Sequence, residues 1–209
     1  MNGGPIQRVV TSGTFELDGG SWEVDNNIWL VGDEKEVLVF DAAHDAEPIR
    51  AAVGDRHVVA IVCTHGHNDH ITVAPELSAA LDAPVLMHPA DDMLWRMTHP
   101  DKDFRTVDDG DTLTVAGIEL RALHTPGHSP GSVCWHAPEL NAVFSGDTLF
   151  QGGPGATGRS FSDFGTILES ISGRLGKLPG ETVVYTGHGD STTIGDELVN
   201  YDDWVVRGH

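Results

Sequence analysis

The sequence predicts a mixed α/β (α+β) fold, with two β-sheets packed together and helices outside. Two observations predict it. Short runs rich in Val, Ile and Leu alternate with segments of helical spacing, and a βαββ-like rhythm occurs before and after the middle of the chain. Four turns carrying histidine or aspartate follow strand-like runs directly, where loops on a rigid scaffold present reactive groups. The 209 residues suit one domain, 1–209, long enough to bury a substantial core. No low-complexity tract or fixed-period repeat interrupts it.

In order along the chain, β-rich runs occupy residues 8–12, 27–31 and 36–40. Helical spacing follows at 47–53, and HVVAIVCT at 57–64 has the continuous apolar pattern of a buried strand. THGHNDH comes next. Residues 71–83 have helical spacing again, 84–88 read as a strand, and 89–97 read as a short helix with proline near its start. Residues 98–109 are polar and read as loop, with 95–105 a candidate cover for the reactive turns. Two strands around Ala116–Gly117 fill 111–125, and a strand pair fills 131–137 and 141–147. QGGPGATGRS at 151–160 reads as a flexible glycine-rich loop. It lacks both the P-loop ending and the dinucleotide fingerprint. Helical spacing returns at 164–175, a strand at 182–186, and the tail at 196–206 reads as a last helix or mixed structure. The tryptophans are expected in the core.

Composition narrows the function. Apolar residues are 39% and charged residues 21%, as in soluble globular chains. No apolar run approaches the roughly 20 residues that span a bilayer. MNGGPIQRVV has no basic segment leading into a long apolar stretch, so a cytoplasmic protein is expected. Lys and Arg total 12 against 32 Asp and Glu, a formal charge of −20 that repels phosphate backbones and anionic membranes. The expected partner is therefore a small-molecule substrate, with no nucleic acid and no membrane, and the oligomeric state is open. Cys63 and Cys134 are expected as buried free thiols.

The chemistry concentrates in the reactive turns. THGHNDH places His65, His67, Asp69 and His70 within one short stretch. TPGHS adds His128, SGDTL adds Asp147 and TGHGD adds His188. Crowded imidazoles repel one another when protonated, and the usual reason for crowding them is a bound cation. Five histidines and two aspartates exceed the four ligands of one tetrahedral zinc and fit two ions sharing a carboxylate. Nitrogen and oxygen donors without cysteine accept zinc, iron or manganese. Asp41, ending an apolar strand, reads either as a carboxylate that orients a metal-bound imidazole or as a turn residue. His88 and His124 are expected in supporting or structural roles. His44, His57, His99, His136 and His209 have no chemical context.

THGHNDH, TPGHSPGS, FSGDTLF and YTGHG, in this order, resemble the metallo-β-lactamase fold superfamily, and within it the glyoxalase II-like (hydroxyacylglutathione hydrolase-like) branch, which FSGDTLFQGG and the tail after GHG also resemble. The resemblance implies an αββα sandwich of two mixed β-sheets flanked by helices, with the metal site at one edge. It implies that His65, His67 and His128 bind one metal, that Asp69, His70 and His188 bind a second, and that Asp147 bridges them. Zinc is the leading expectation for both. The implied activity is metal-dependent hydrolysis of a thioester or related small ester by a metal-bridged hydroxide, with Asp69 as the catalytic residue that orients it. True β-lactamases of the best-known zinc class use a cysteine in the second site, and these motifs offer none. The strand-end motif usually reads Asp-x-Gly but is Asp41-Ala42-Ala43 here. The loop GGPGATGRSFSDF differs from the usual short form, and the basic C-terminal segment that holds glutathione has no counterpart beyond Arg207. The thiol carrier therefore stays open. Two alternatives share the fold: an iron-dependent persulfide dioxygenase, using His65, His128 and Asp147, and a lactonase. A nuclease is opposed by the charge of −20.

Overall fold

A computed structural model describes residues 4–208. Chain order in the first half is β1 (Ile6–Leu17), β2 (Gly20–Gly32), β3 (Glu36–Phe40), α1 (Ala46–Val53), β4 (His57–Val62), α2 (Asn68–Ile71), α3 (Ala74–Leu81), β5 (Val85–Met87), α4 (Asp92–Thr98) and β6 (Arg105–Thr106). The second half runs β7 (Thr112–Val115), β8 (Ile118–His124), β9 (Val133–Ala137), β10 (Ala142–Gly146), β11 (Leu149–Phe150), β12 (Gly153–Pro154), α5 (Phe164–Gly173), β13 (Val183–Thr186), β14 (Thr192–Thr193), α6 (Ile194–Leu198) and α7 (Tyr201–Arg207).

The first sheet has the order β1-β2-β3-β4-β5-β6 and the second β14-β13-β10-β9-β8-β7. Both are mixed. β3, β4, β5 and β6 run parallel, while β1, β2 and β3 pair antiparallel. In the second sheet only β10 and β13 are parallel. Side-chain alternation sorts each sheet into two buried faces. Trp29, Val31, Leu38, Phe40, Ala60 and Val62 point toward the second sheet and meet Leu120, Ala122, Trp135 and Phe144. Their neighbours Ile28, Leu30, Val37, Val39 and Ile61 point the other way, onto Ile49 and Val53 of α1 and Leu77 of α3. On the far side, Cys134, Val143 and Val184 of the second sheet meet Ile167 and Ile171 of α5 and Trp204 of α7. The layers are therefore helix, sheet, sheet, helix, which is the αββα sandwich.

The structure corrects several elements. The runs at 8–12 and 27–31 belong to one long hairpin, with β1 pairing β2 from Ile6↔Val31 to Leu17↔Gly20. Its turn is Asp18-Gly19, both at positive φ (54° and 77°), the combination a tight two-residue hairpin requires. The helix expected at 71–83 is the shorter α3, and a separate one-turn α2 precedes it within the reactive turn. Pro75 has no N–H to bond the Ile71 carbonyl, so the helix breaks. The freed Ile71 oxygen accepts from His99 Nε2 instead, at 2.9 Å. The glycine-rich loop contains a short ladder, Leu149↔Pro154 and Phe150↔Gly153. Residues 105–106 add an edge strand to the expected loop, and the tail forms two helices. Four tryptophans are buried, but Trp22 is exposed. Both cysteines are buried and free. Among the described residues, no helix is long and apolar enough to cross a membrane.

Candidate metal centre

The strands of both sheets end at one edge, and the reactive turns follow from them. β4 runs through Cys63 and Thr64 into His65 and His67. The one-turn α2 carries Asp69 and His70. β8, β10 and β13 lead into His128, Asp147 and His188. Thr64 O accepts from Val133 N at 2.8 Å, which joins the first and second sheets beside the site.

All seven candidate residues come together. His67 Nδ1 lies 3.0 Å from both His65 Nε2 and His128 Nε2. His70 Nε2 lies 3.2 Å from His188 Nε2, and Asp69 Oδ2 lies 3.3 Å from His188 Nε2 and 3.5 Å from His70 Nε2. These are two separate convergences of donor atoms, His65/His67/His128 and Asp69/His70/His188. Asp147 reaches both. Its Oδ1 is 3.3 Å from His70 Nε2, and its Oδ2 is 3.3 Å from His188 Nε2 and 3.6 Å from His128 Nε2. Two nitrogens on one tetrahedral zinc, each at about 2.0–2.1 Å, stand about 3.3 Å apart. The observed separations match that spacing.

The imidazoles are aimed by their other nitrogens. His70 Nδ1 donates to Asp41 Oδ2 at 3.0 Å, His128 Nδ1 to Ala156 O at 2.8 Å and His188 Nδ1 to Asp25 O at 2.8 Å. Each therefore turns Nε2 toward the centre. His67 is reversed: Nδ1 faces inward, and its buried Nε2 has no hydrogen-bond partner. Asp41 resolves as an orienting carboxylate, since it also accepts from Thr64 N at 2.7 Å and Thr64 Oγ1 at 2.9 Å. Its own φ of 58° lets the chain turn there.

The electrostatics divide the site in two. Burial and the neighbouring imidazoles push His65 far down, and burial followed by His128 pushes His67 down to about 3. Both rings therefore present lone pairs. On the other side, burial disfavours charge, but Asp147 and Asp69 outweigh it and hold His70 well above its ordinary value. His188 is raised to about 10 against burial, chiefly by Asp147. Asp147 and Asp69 are themselves lowered by these imidazoles despite burial. Asp69 Oδ1 and Asp147 Oδ1 are buried with no hydrogen-bond partner. Buried carboxylate oxygens without donors, beside nitrogens that converge at ligand spacing, fit a site built for cations.

Sequence reasoning missed several supports. Asn26 is fully buried, with Nδ2 donating to Asp69 Oδ2 at 3.1 Å and lying 3.2 Å from His70 Nε2. His44 Nε2 donates to Asn26 Oδ1 at 2.8 Å and so fixes that amide. Asn68 holds the hairpin over the site, accepting from Glu16 N and donating to Thr14 O, both at 2.8 Å. Phe15 thereby rests edge-on against His67, with ring centroids 5.1 Å apart. The only available signal was the Asn26-Asn27 pair directly ahead of the apolar run Ile28–Val31. His88 and His124 stack on each other at 4.1 Å, and neither joins the converging donor sets. Segment 95–105 folds on itself through Trp95 Nε1 to Lys102 O at 2.7 Å and supplies none of the donor atoms. His57 and His136 join none of the converging donor sets, and His209 lies outside the described residues.

The family model described as the metallo-beta-lactamase superfamily matches residues 22–188, which run from β2 through every reactive turn. The chain belongs to this superfamily. Among its relatives, the probable metallo-hydrolase YqgX of Bacillus subtilis is 33% identical over 186 residues, covering 81% of this chain and 87% of that protein. The hydroxyacylglutathione hydrolase GloC of Haemophilus influenzae is 31% identical over 186 residues, with coverage of 81% and 87%. The crystal structure of TTHA1623 in a di-iron-bound form superposes with a TM-score of 0.75 at 33% identity, covering 84% of this chain and 93% of that one. The metallo-beta-lactamase fold and a His/Asp site suited to divalent ions agree with the geometry.

Proposed function

We propose that this chain is a metal-dependent hydrolase of thioesters or related small esters, with two divalent ions held by His65, His67 and His128 and by Asp69, His70 and His188, and with Asp147 between them. The observation that carries it is the Asp147 carboxylate, whose two oxygens face both donor sets at 3.3–3.6 Å. Likeness to a hydroxyacylglutathione hydrolase supports a thioester as substrate. When bound, such ions supply Lewis acidity and lower the pKa of water enough to ionise it near neutral pH.

The chain's own residues supply the rest. Asp69 Oδ1, buried and unpartnered, is an acceptor for a proton of the attacking water. Asn26 Nδ2 donates to the other oxygen of Asp69, so that Oδ1 stays aimed. Phe15 against His67 and the loop at Ala156 against His128 wall the two sides and limit bulk water. Thiolate departs without a strong acid, so no buried general acid is needed.

An iron-dependent persulfide dioxygenase is the second reading. It is favoured by the placement of His65, His128 and Asp147: His65 shares a converging donor set with each of the other two, and His128 Nε2 lies 3.6 Å from Asp147 Oδ2. Metal analysis of protein purified without added metal, with thioester hydrolysis and oxygen uptake assayed on the same sample, separates the two. Near two metals per chain, with thioester cleavage lost in Asp147→Ala, supports the hydrolase. One iron per chain, with oxygen consumed on a persulfide and no thioester cleavage, overturns it.

A further inference from the structure

Asp91 is a buried carboxylate that the chemistry above does not use. It ends the short 3-10 turn Pro89–Asp91 ahead of α4 and has no exposed surface. All its partners are donors from two reactive turns. Oδ2 accepts from Gly66 N at 2.7 Å and from Ser129 Oγ at 2.6 Å, and Oδ1 accepts from Gly131 N at 2.5 Å. Gly66 stands between His65 and His67, and Ser129 follows His128 directly. One oxygen atom therefore ties the Gly66 backbone, between His65 and His67, to the Ser129 hydroxyl, beside the sequence-distant His128. The fit is close. A Cβ on Gly131 would stand 2.7 Å from the Asp91 carboxyl carbon, and one on Gly66 would stand 3.0 Å from Asp91 Cβ. Both turns carry glycine where the carboxylate sits against their backbone.

Nothing equivalent serves the other donor set. Asp69, His70 and His188 are aimed by Asn26, Asp41 and the Asp25 carbonyl, none of which touches Asp91. Asp41 also reaches the first half indirectly, through Thr64 beside His65, whereas the Asp91 carboxylate bonds only the turns of the His65/His67/His128 half.

We propose that Asp91 is the positioning residue of the His65/His67/His128 half-site, setting the distance between the two turns so that the three nitrogens converge, and that it does not govern the Asp69/His70/His188 half. This rests on the two-metal reading above. Asp91→Asn keeps the shape but faces one backbone N–H with an amide N–H, so one turn must retreat. Ser129→Ala removes a single donor without altering any candidate ligand.

The test is a titration of chelator-stripped protein with Zn2+ and with Co2+, read by calorimetry and by the Co2+ absorption bands, with circular dichroism and a melting curve on each variant. The wild type is expected to bind two ions. Asp91→Asn should bind one ion unchanged and the other about 10–100-fold more weakly, the usual cost of removing a group that orients ligands. Ser129→Ala should weaken the same ion by less, and it decides the matter if Asp91→Asn does not fold. Asp41→Asn should weaken the opposite ion more than this one, because Asp41 bonds His70 directly and His65 only through Thr64. A folded Asp91→Asn or Ser129→Ala variant that binds both ions like wild type, or weakens both equally, overturns the proposal. A wild type that binds fewer than two ions overturns the two-metal reading itself.

Discussion

Gly187 offers a direct test of the central carboxylate. It follows β13 within the turn that carries His188, and a Cβ built there would stand 2.2 Å from Asp147 Oδ1 and 2.7 Å from His70 Cε1. Carbon and oxygen come no closer than about 3.3 Å without penalty, so Gly187→Ala forces the carboxylate back by about 1 Å. Gly187 N donates to Gly146 O at 2.8 Å and Gly187 O accepts from Asn27 N at 2.7 Å, so the backbone is held on both sides and the side chain must give. Overpacking of this kind costs about 1–3 kcal/mol. The effect on chemistry should be larger, because a displacement of about 1 Å in a reacting constellation costs about 100-fold in rate. The assay is kcat for a small thioester, with metal content and melting temperature measured on the same preparation. Expected are a folded protein, a loss of metal from two toward one per chain, and a rate lowered about 100-fold. A Gly187→Ala protein with full metal content and a rate within about twofold of wild type would refute the bridging role of Asp147, since the clash on that oxygen is unavoidable in this geometry.

Three further outcomes are expected. Phe144 is buried at the sheet interface, stacked on Phe40 at 4.7 Å and on Tyr185 at 5.2 Å, so Phe144→Ala should lower stability by about 3–5 kcal/mol, read as a shift in the urea midpoint without a change in slope. Asn68→Ala removes two hydrogen bonds that pin the hairpin over the metal turn, and amide exchange at Thr14 to Glu16 should speed up while exchange in β10 is unchanged. Chelation should lower the melting temperature, and restoring Zn2+ in excess should return it in proportion to the logarithm of free ion, as linkage requires of anything that binds only the folded state.

The sequence shows its elements unevenly, for physical reasons. β3 and β4 are legible because both their faces are buried and their residues are apolar without interruption, from Val37 to Phe40 and from Val58 to Val62. Most of the β1–β2 hairpin is not legible. Its outer part lies half in solvent, with Thr, Ser, Gly and Glu alternating along it and no apolar run to mark it. Asp18-Gly19 was its one strong local signal. The break between α2 and α3 was visible in Pro75, but the helical spacing on both sides disguised it. The candidate ligands were legible because chemistry demands particular residue types at particular spacings. Of their supports, only Asp41 was, at the end of an apolar strand. Asn26, Asp91 and Asn68 act through a single hydrogen-bonding edge each, and a lone Asn or Asp in sequence looks the same whether it faces water or a buried imidazole.

The distribution of the donors couples the site to the fold. His65, His67, Asp69 and His70 follow a strand of the first sheet, whereas His128, Asp147 and His188 follow strands of the second. Neither convergence is formed within one sheet: His65 and His67 need His128, and Asp69 and His70 need His188. The cross-sheet bonds near the edge, Asn27 N to Gly187 O and Val133 N to Thr64 O, hold the sheets in register at the site. Trp29 Nε1 adds a third, donating to Thr186 O at 2.9 Å. An ion bound by either donor set therefore clamps the two sheets as well as serving chemistry. The same arrangement means that packing errors deep in the shared core, at Phe40 or Phe144, reach the metal spacing through the strand ends. Substitutions that lower stability at the sheet interface should loosen metal binding, while equally destabilising substitutions under α1 or α7, which leave the sheet-to-sheet distance alone, should not.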